Sequence, residues 1–220
     1  MSIQSNLLEI KTSLPENVTL VAVSKTKPVA DLMEAYEAGQ RIFGENKIQE
    51  MADKFEQMPK DIEWHMIGHV QTNKVKFMAP FVSLIHGVDS LKLVEEINKQ
   101  ALKNNRIIDC LLQIHVAEED TKFGLDEKEL SELLNSESFK NLKNIQIKGL
   151  MGMATFTENQ DQIKKEFLHL KTIFDTTSKL KTENCQLEIL SMGMSGDYRL
   201  AIDCGSTMVR IGSSIFGNRN

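Results

Sequence analysis

The chain has 220 residues, 41% of them hydrophobic and 26% charged, with a formal net charge of −5. That length suits one large domain or two small ones, and the mildly acidic balance argues against a general binder of nucleic acid or membrane surfaces. No apolar run reaches the ~18 residues needed to span a bilayer, and the start "MSIQSNLLEI" lacks the basic-then-apolar pattern of a signal peptide. Cys110, Cys185 and Cys204 form no CxxC pair, an odd count fits no closed disulfide framework, and the scattered histidines make no structural zinc set. The expectation is a reduced, cytoplasmic protein.

Residues 5–12 carry a first helical pattern. A short apolar run at 20–25 follows, then a helical pattern at 28–38 opened by Pro28. The alternation then repeats: run 41–45 and helix 47–58, run 63–68 and helix 72–79, run 82–88 and helix 91–103. It continues with run 107–116 and helix 127–134, run 145–151 and helix 161–180, run 187–192 and a short helix 198–204, and a last run at 208–211. Helix 91–103 illustrates the reading: Leu91, Val94, Ile97 and Leu102 lie near helical spacing, Ser90 is a plausible N-cap, and Asn104 and Asn105 make a stop.

Strand–helix alternation implies parallel strands with right-handed crossovers. Eight such units predict an α/β fold, a single (β/α)8 TIM-type barrel with an extra N-terminal helix; an open doubly wound sheet is the alternative. No linker or composition shift divides the chain, so residues 1–220 are expected to form one domain. Asn220 lies a few residues past the last run, which leaves no final helix, and the 5–12 helix is expected to cover that gap.

In a barrel, reactive groups collect at the C-terminal ends of the strands. Those ends here are Lys25, "FGEN" (43–46), "WHMIGHVQTNK" (64–74) with His65 and His69, His86, His115, "GLMGMAT" (149–155), "SMGMSGD" (191–197) and "VRIGSSIFG" (209–217). Met151, Met153, Met192 and Met194 read as core filler. Val21, Val23 and Lys25 share one strand face while Ala22 and Ser24 share the other, which points Lys25 inward. Lys27 has the same nominal parity but lies beyond the strand and ranks second. "MSGD" and "RIGSS" look like phosphate cradles, because glycine lets backbone N–H groups approach an anion and serine adds a hydroxyl. Neither is a Walker A or G-x-G-x-x-G pattern. Each feature alone reads as a surface lysine or an ordinary turn. Together, a lysine facing an anion cradle describes a phosphorylated aldehyde held as a Schiff base.

In order and spacing, "VAVSKTKP", "FGEN", "WHMIGHVQTNK", "GLMGMAT", "LSMGMSGD" and "VRIGSSIFG" resemble the pyridoxal phosphate homeostasis (YggS/PROSC) family. The resemblance implies a barrel like the N-terminal domain of alanine racemases, with pyridoxal 5′-phosphate (PLP) on Lys25. It further implies a phosphate contact from Ser195, backbone donors at Gly212 and Ser213, and Arg210 at either the ring nitrogen or the phosphate. Asn46 and His65 are expected to line the pocket without an assigned role. The implied function is PLP homeostasis without a robust reaction of its own, with PLP-dependent apo-enzymes as partners, and a monomer is favoured because no dimerising second domain is expected. Racemases need an opposite-face tyrosine from an added β domain. No such domain is expected here, and the two tyrosines, Tyr36 and Tyr198, fall in helical patterns. An amino-acid racemase, a Schiff-base aldolase and a bare interaction module are the rival readings.

Overall fold

The first apolar run divides its side chains as a barrel requires. In β1 (Thr19–Val23), Leu20 and Ala22 join the outer core under the helices, whereas Val21 packs with Leu84, Leu111, Met151 and Met208 inside the barrel. Burial on both faces explains why the strands read as near-continuous apolar runs. The computed structural model describes residues 2–118, 123–180 and 182–217. Seven further strands, β2 (Ile42–Glu45), β3 (Glu63–Met66), β4 (Leu84–Val88), β5 (Ile108–Gln113), β6 (Ile145–Met151), β7 (Cys185–Met194) and β8 (Met208–Ile211), close with β1 into one barrel in chain order. Every pairing is parallel. The α/β barrel expected from the alternation is therefore present.

The helices in chain order are α1 (Ile3–Ser13), α2 (Val29–Glu37), α3 (Ile48–Gln57), α4 (Val75–Met78), α5 (Leu91–Lys103), α6 (Glu127–Asn135), α7 (Glu137–Lys140), α8 (Gln160–Thr177), α9 (Tyr198–Asp203) and α10 (Ser213–Phe216). In α8, Ile163, Phe167, Leu170 and Ile173 recur every three to four residues and are buried against the barrel. Helix α5 has the bounds its sequence predicts, and Ser90 accepts from the Leu93 N–H as its N-cap. The three cysteines are buried and unpaired with one another. No helix among the described residues is long and apolar enough to cross a membrane.

Three expectations need correction. β1 ends at Val23 rather than at Lys25: Ser24 still donates to the Gly44 carbonyl at 3.0 Å, but Thr26 turns the chain with a φ of 65°. The 72–79 helix opens as a 3₁₀ turn (Thr72–Lys74) before α4. A helix does follow the last strand, the single turn α10, and α1 packs on it. Asn6 Nδ2 donates to the Ile215 carbonyl at 3.1 Å, while Leu7 and Ile10 bury the inner face of α1.

Candidate functional site

Each strand of the barrel delivers its next residues to the same rim. Six of the seven expected site residues, Lys25, Asn46, Ser195, Arg210, Gly212 and Ser213, line one cavity of about 480 Å³ there. Lys25 stands on the turn after β1 and Asn46 directly follows β2. The loop after β7 is closed by Asp197, whose Oδ1 accepts from the Met194 N–H at 2.6 Å and whose N–H donates to the Met194 carbonyl at 3.1 Å. Ser195 Oγ accepts from the Gly212 N–H at 3.2 Å, so the loops after β7 and β8 are stitched together. A side chain at position 212 would place its Cβ 3.0 Å from the Val23 carbonyl oxygen, so glycine lets that loop lie closely against the Lys25-bearing segment, which would have to give by a few tenths of an ångström for any other residue. Ser213 and Ser214 open α10, and the first N–H groups of a helical turn have no intrahelical acceptor. A neighbouring groove of about 590 Å³, beyond the same loop and walled by α1 and α9, contains neither Lys25 nor Arg210.

The chain is acidic overall, yet among the described residues Lys25, Lys27 and Arg210 face a single carboxylate, Asp197, around this cavity. Lys27 Nζ also donates to the Phe216 carbonyl at 2.9 Å. Arg210 is buried. Its Nη1 donates to Ser191 O at 2.9 Å and to Ser191 Oγ at 2.7 Å, and its Nη2 donates to Gly152 O at 3.1 Å. Burial lowers its pKa to about 10 against the opposing pull of Asp197, so it is protonated at neutral pH.

The expected pocket residue His65 does not line the cavity. Its side chain shares the inward face of β3, but it sits two residues deeper than Ile67, which does reach the cavity. There His65 Nδ1 lies 3.1 Å from His86 Nε2, and His86 Nδ1 lies 3.1 Å from the Ser191 Oγ that Arg210 also holds. Burial pushes the pKa of His65 down to about 3. Burial, reinforced by the neighbouring His65 and by the Arg210 charge, holds His86 well below its ordinary value. Both rings are neutral at physiological pH and form a buried chain ending at Arg210.

The family described as alanine racemase, N-terminal domain, matches residues 1–220. A pyridoxal phosphate homeostasis protein of Aquifex aeolicus (strain VF5) is 41% identical over 202 residues, covering 91% of this chain and 86% of the relative. This chain belongs to the pyridoxal phosphate homeostasis protein family. The structure of PipY from Synechococcus elongatus PCC7942, solved with PLP bound, is 34% identical with a TM-score of 0.88, covering 98% of this chain and 100% of PipY. An alanine racemase from E. faecalis, 15% identical with a TM-score of 0.75, covers 99% of this chain and 58% of its own, a likeness of fold alone.

This homeostasis-family chain also brings to the cavity Ile67 and Phe156, which sequence reasoning passed over, and Met153 and Met194, which it read as core filler. Ile67, Met153, Met194 and Phe156 make its apolar wall. The methionines carried a legible signal. Met151 and Met192 are buried core, as expected, while Met153 and Met194, two residues further along the same segments, line the cavity instead of filling the core. Ser191 and Gly152, which hold Arg210, gave no signal, because a serine and a glycine at strand ends are ordinary.

Proposed function

We propose that this chain binds PLP in the rim cavity, joined to Lys25 as a Schiff base, and holds it as part of intracellular PLP homeostasis. The observation that carries this reading is that a lysine of inward parity and a two-loop anion cradle open on one cavity. PLP supplies an electrophilic aldehyde and a phosphate anion. Once its ammonium has given a proton to solvent, the Lys25 amine would add to the aldehyde carbon, and one water would leave as the C=N bond forms. Ser195 Oγ and the Ser213 N–H would hold the phosphate, and the Gly212 N–H would turn to it from Ser195 Oγ. Asn46 and the apolar wall at Ile67 and Met153 would flank the ring. In this reading His65 supports Arg210 from beneath and does not touch the cofactor.

The relatives' names and the PLP-bound PipY support the reading at 37–41% and 34% identity. The same proposal takes residues 1–220 as one PLP-binding unit, acting as a cytoplasmic monomer. It exchanges PLP with PLP-dependent apo-enzymes and has no robust reaction of its own. The test is borohydride reduction of the PLP-loaded protein followed by peptide mapping. The expected result is a reduced adduct on Lys25 and loss of the visible absorption band. An adduct on Lys27 alone, or none, would overturn the assignment.

A further inference from the structure

The turn that carries Lys25 is gripped from below. Lys54 of α3 is buried, and its three ammonium protons have three acceptors at 2.8 Å each: the Ser24 carbonyl, Glu45 Oε1 and Glu50 Oε1. Ser24 Oγ donates to Glu45 Oε1 at 2.6 Å. On the other side of Lys25, the Thr26 N–H donates to Glu50 Oε1 at 2.6 Å. The residues immediately before and after Lys25 are thus tied to one carboxylate–ammonium–carboxylate cluster. Thr26 has a φ of 65°, a left-handed conformation that a β-branched residue adopts only where its surroundings impose it.

A buried ion pair is poor evidence of stabilisation, since apolar side chains of similar volume commonly do as well. This one also leaves Glu45 Oε2 buried without a hydrogen-bond partner among the described residues. Burial raises the Glu45 pKa, opposed by Lys54 and Ser24, so the cluster is costly to keep ionised. What it does with fixed geometry is hold two consecutive peptide groups around a lysine.

We propose that Glu50 and Lys54 are positioning residues for Lys25, which hold Thr26 in its left-handed turn and so fix the approach of the Lys25 amine to the cavity. This rests on the reading that Lys25 is the residue joined to PLP. The cluster acts on the covalent step rather than on the phosphate cradle, which is built by other loops.

The experiment adds PLP to PLP-free protein and follows the rate at which a borohydride-trappable adduct appears on Lys25. It compares the parent with Glu50→Ala and Glu50→Gln. Non-covalent PLP affinity is measured for the same changes in a Lys25→Ala background. Glu50→Ala is expected to slow capture at least tenfold while leaving the non-covalent Kd within twofold. Glu50→Gln, which keeps an acceptor for the Thr26 N–H, should recover most of the rate. Thr26→Gly combined with Glu50→Ala should also recover capture, because glycine takes the left-handed turn unaided. Unchanged capture in Glu50→Ala, an equal loss of non-covalent affinity, or no recovery by Thr26→Gly overturns the inference while leaving the PLP reading standing. An absence of any Lys25 adduct in the parent overturns both.

Discussion

Arg210 has its guanidinium anchored to the barrel itself, through Ser191 and Gly152, at a level beneath the stitched Ser195–Gly212 loops. In the proposed complex, with the phosphate in the cradle, it would face the ring of PLP. A permanent donor at the pyridine nitrogen would keep that nitrogen unprotonated. Arg210→Gln is therefore expected to change the visible spectrum of bound PLP and its pH dependence, with less than a tenfold loss of affinity. A ten- to hundredfold loss with an unchanged spectrum, roughly 1.5–3 kcal/mol, would put Arg210 on the phosphate instead. His65 supports a second prediction. The unfolded chain takes up a proton near pH 6.5, which the native state refuses until about pH 3. Stability is therefore fully present above pH 6.5 and falls with acid by about 1.4 kcal/mol per pH unit. Urea unfolding between pH 6.5 and 4 should show a flatter slope for His65→Gln than for the parent by about that amount. Equal slopes would mean that the ring is hydrated in the native state.

At the level of elements, β6 and β7 approach so closely at a register shift that a Cβ on Gly149 would lie 1.8 Å from the Ile189 carbonyl oxygen. Backbone cannot yield there without parting the two strands. Gly149→Ala is expected to destabilise the protein by about 3 kcal/mol or more, read as a lowered urea midpoint; a midpoint within error of the parent would count against the strand contact. Gly149 belongs to "GLMGMAT", which drew notice for its place at a strand end, although the need for glycine comes from packing. The strands were legible because strands buried on both faces have little but apolar residues to use. Lys25 was legible by parity, which persists through the turn even though pairing ends at Val23. Parity could not give depth, which is why Ile67 and not His65 meets the cavity. The turn α10 was invisible because four residues, "SSIF", carry no period. The Glu45–Lys54 pair was hidden for a different reason: residues 45 and 54 are charged positions on separate elements, and only the packing of α3 back on the paired strands β1 and β2 brings them under one turn.

For the molecule as a whole, the question is what chemistry a barrel rim of this composition permits. Racemisation removes a proton from one face of a carbon and returns it to the other, which needs two acid–base groups on opposite sides. Here the two lysines on the cavity, Lys25 and Lys27, come from the same turn, and Lys27 Nζ is held by the Phe216 carbonyl. The one carboxylate on the cavity among the described residues, Asp197, is engaged by the Met194 N–H. Neither tyrosine lines the cavity. The Tyr36 hydroxyl donates to Asp61 at 2.8 Å, with the Arg41 guanidinium over its ring, and Tyr198 borders the neighbouring groove beside α1. A guanidinium at the ring nitrogen would further weaken the cofactor as an electron sink. The PLP-loaded protein is accordingly expected to racemise alanine and serine at a negligible rate, measured by chiral chromatography of each L-amino acid after prolonged incubation with and without the protein. Turnover comparable to that of an alanine racemase would defeat the binding-only reading. It would also require that one of these groups, most directly Lys27 released from Phe216, reach the face opposite Lys25.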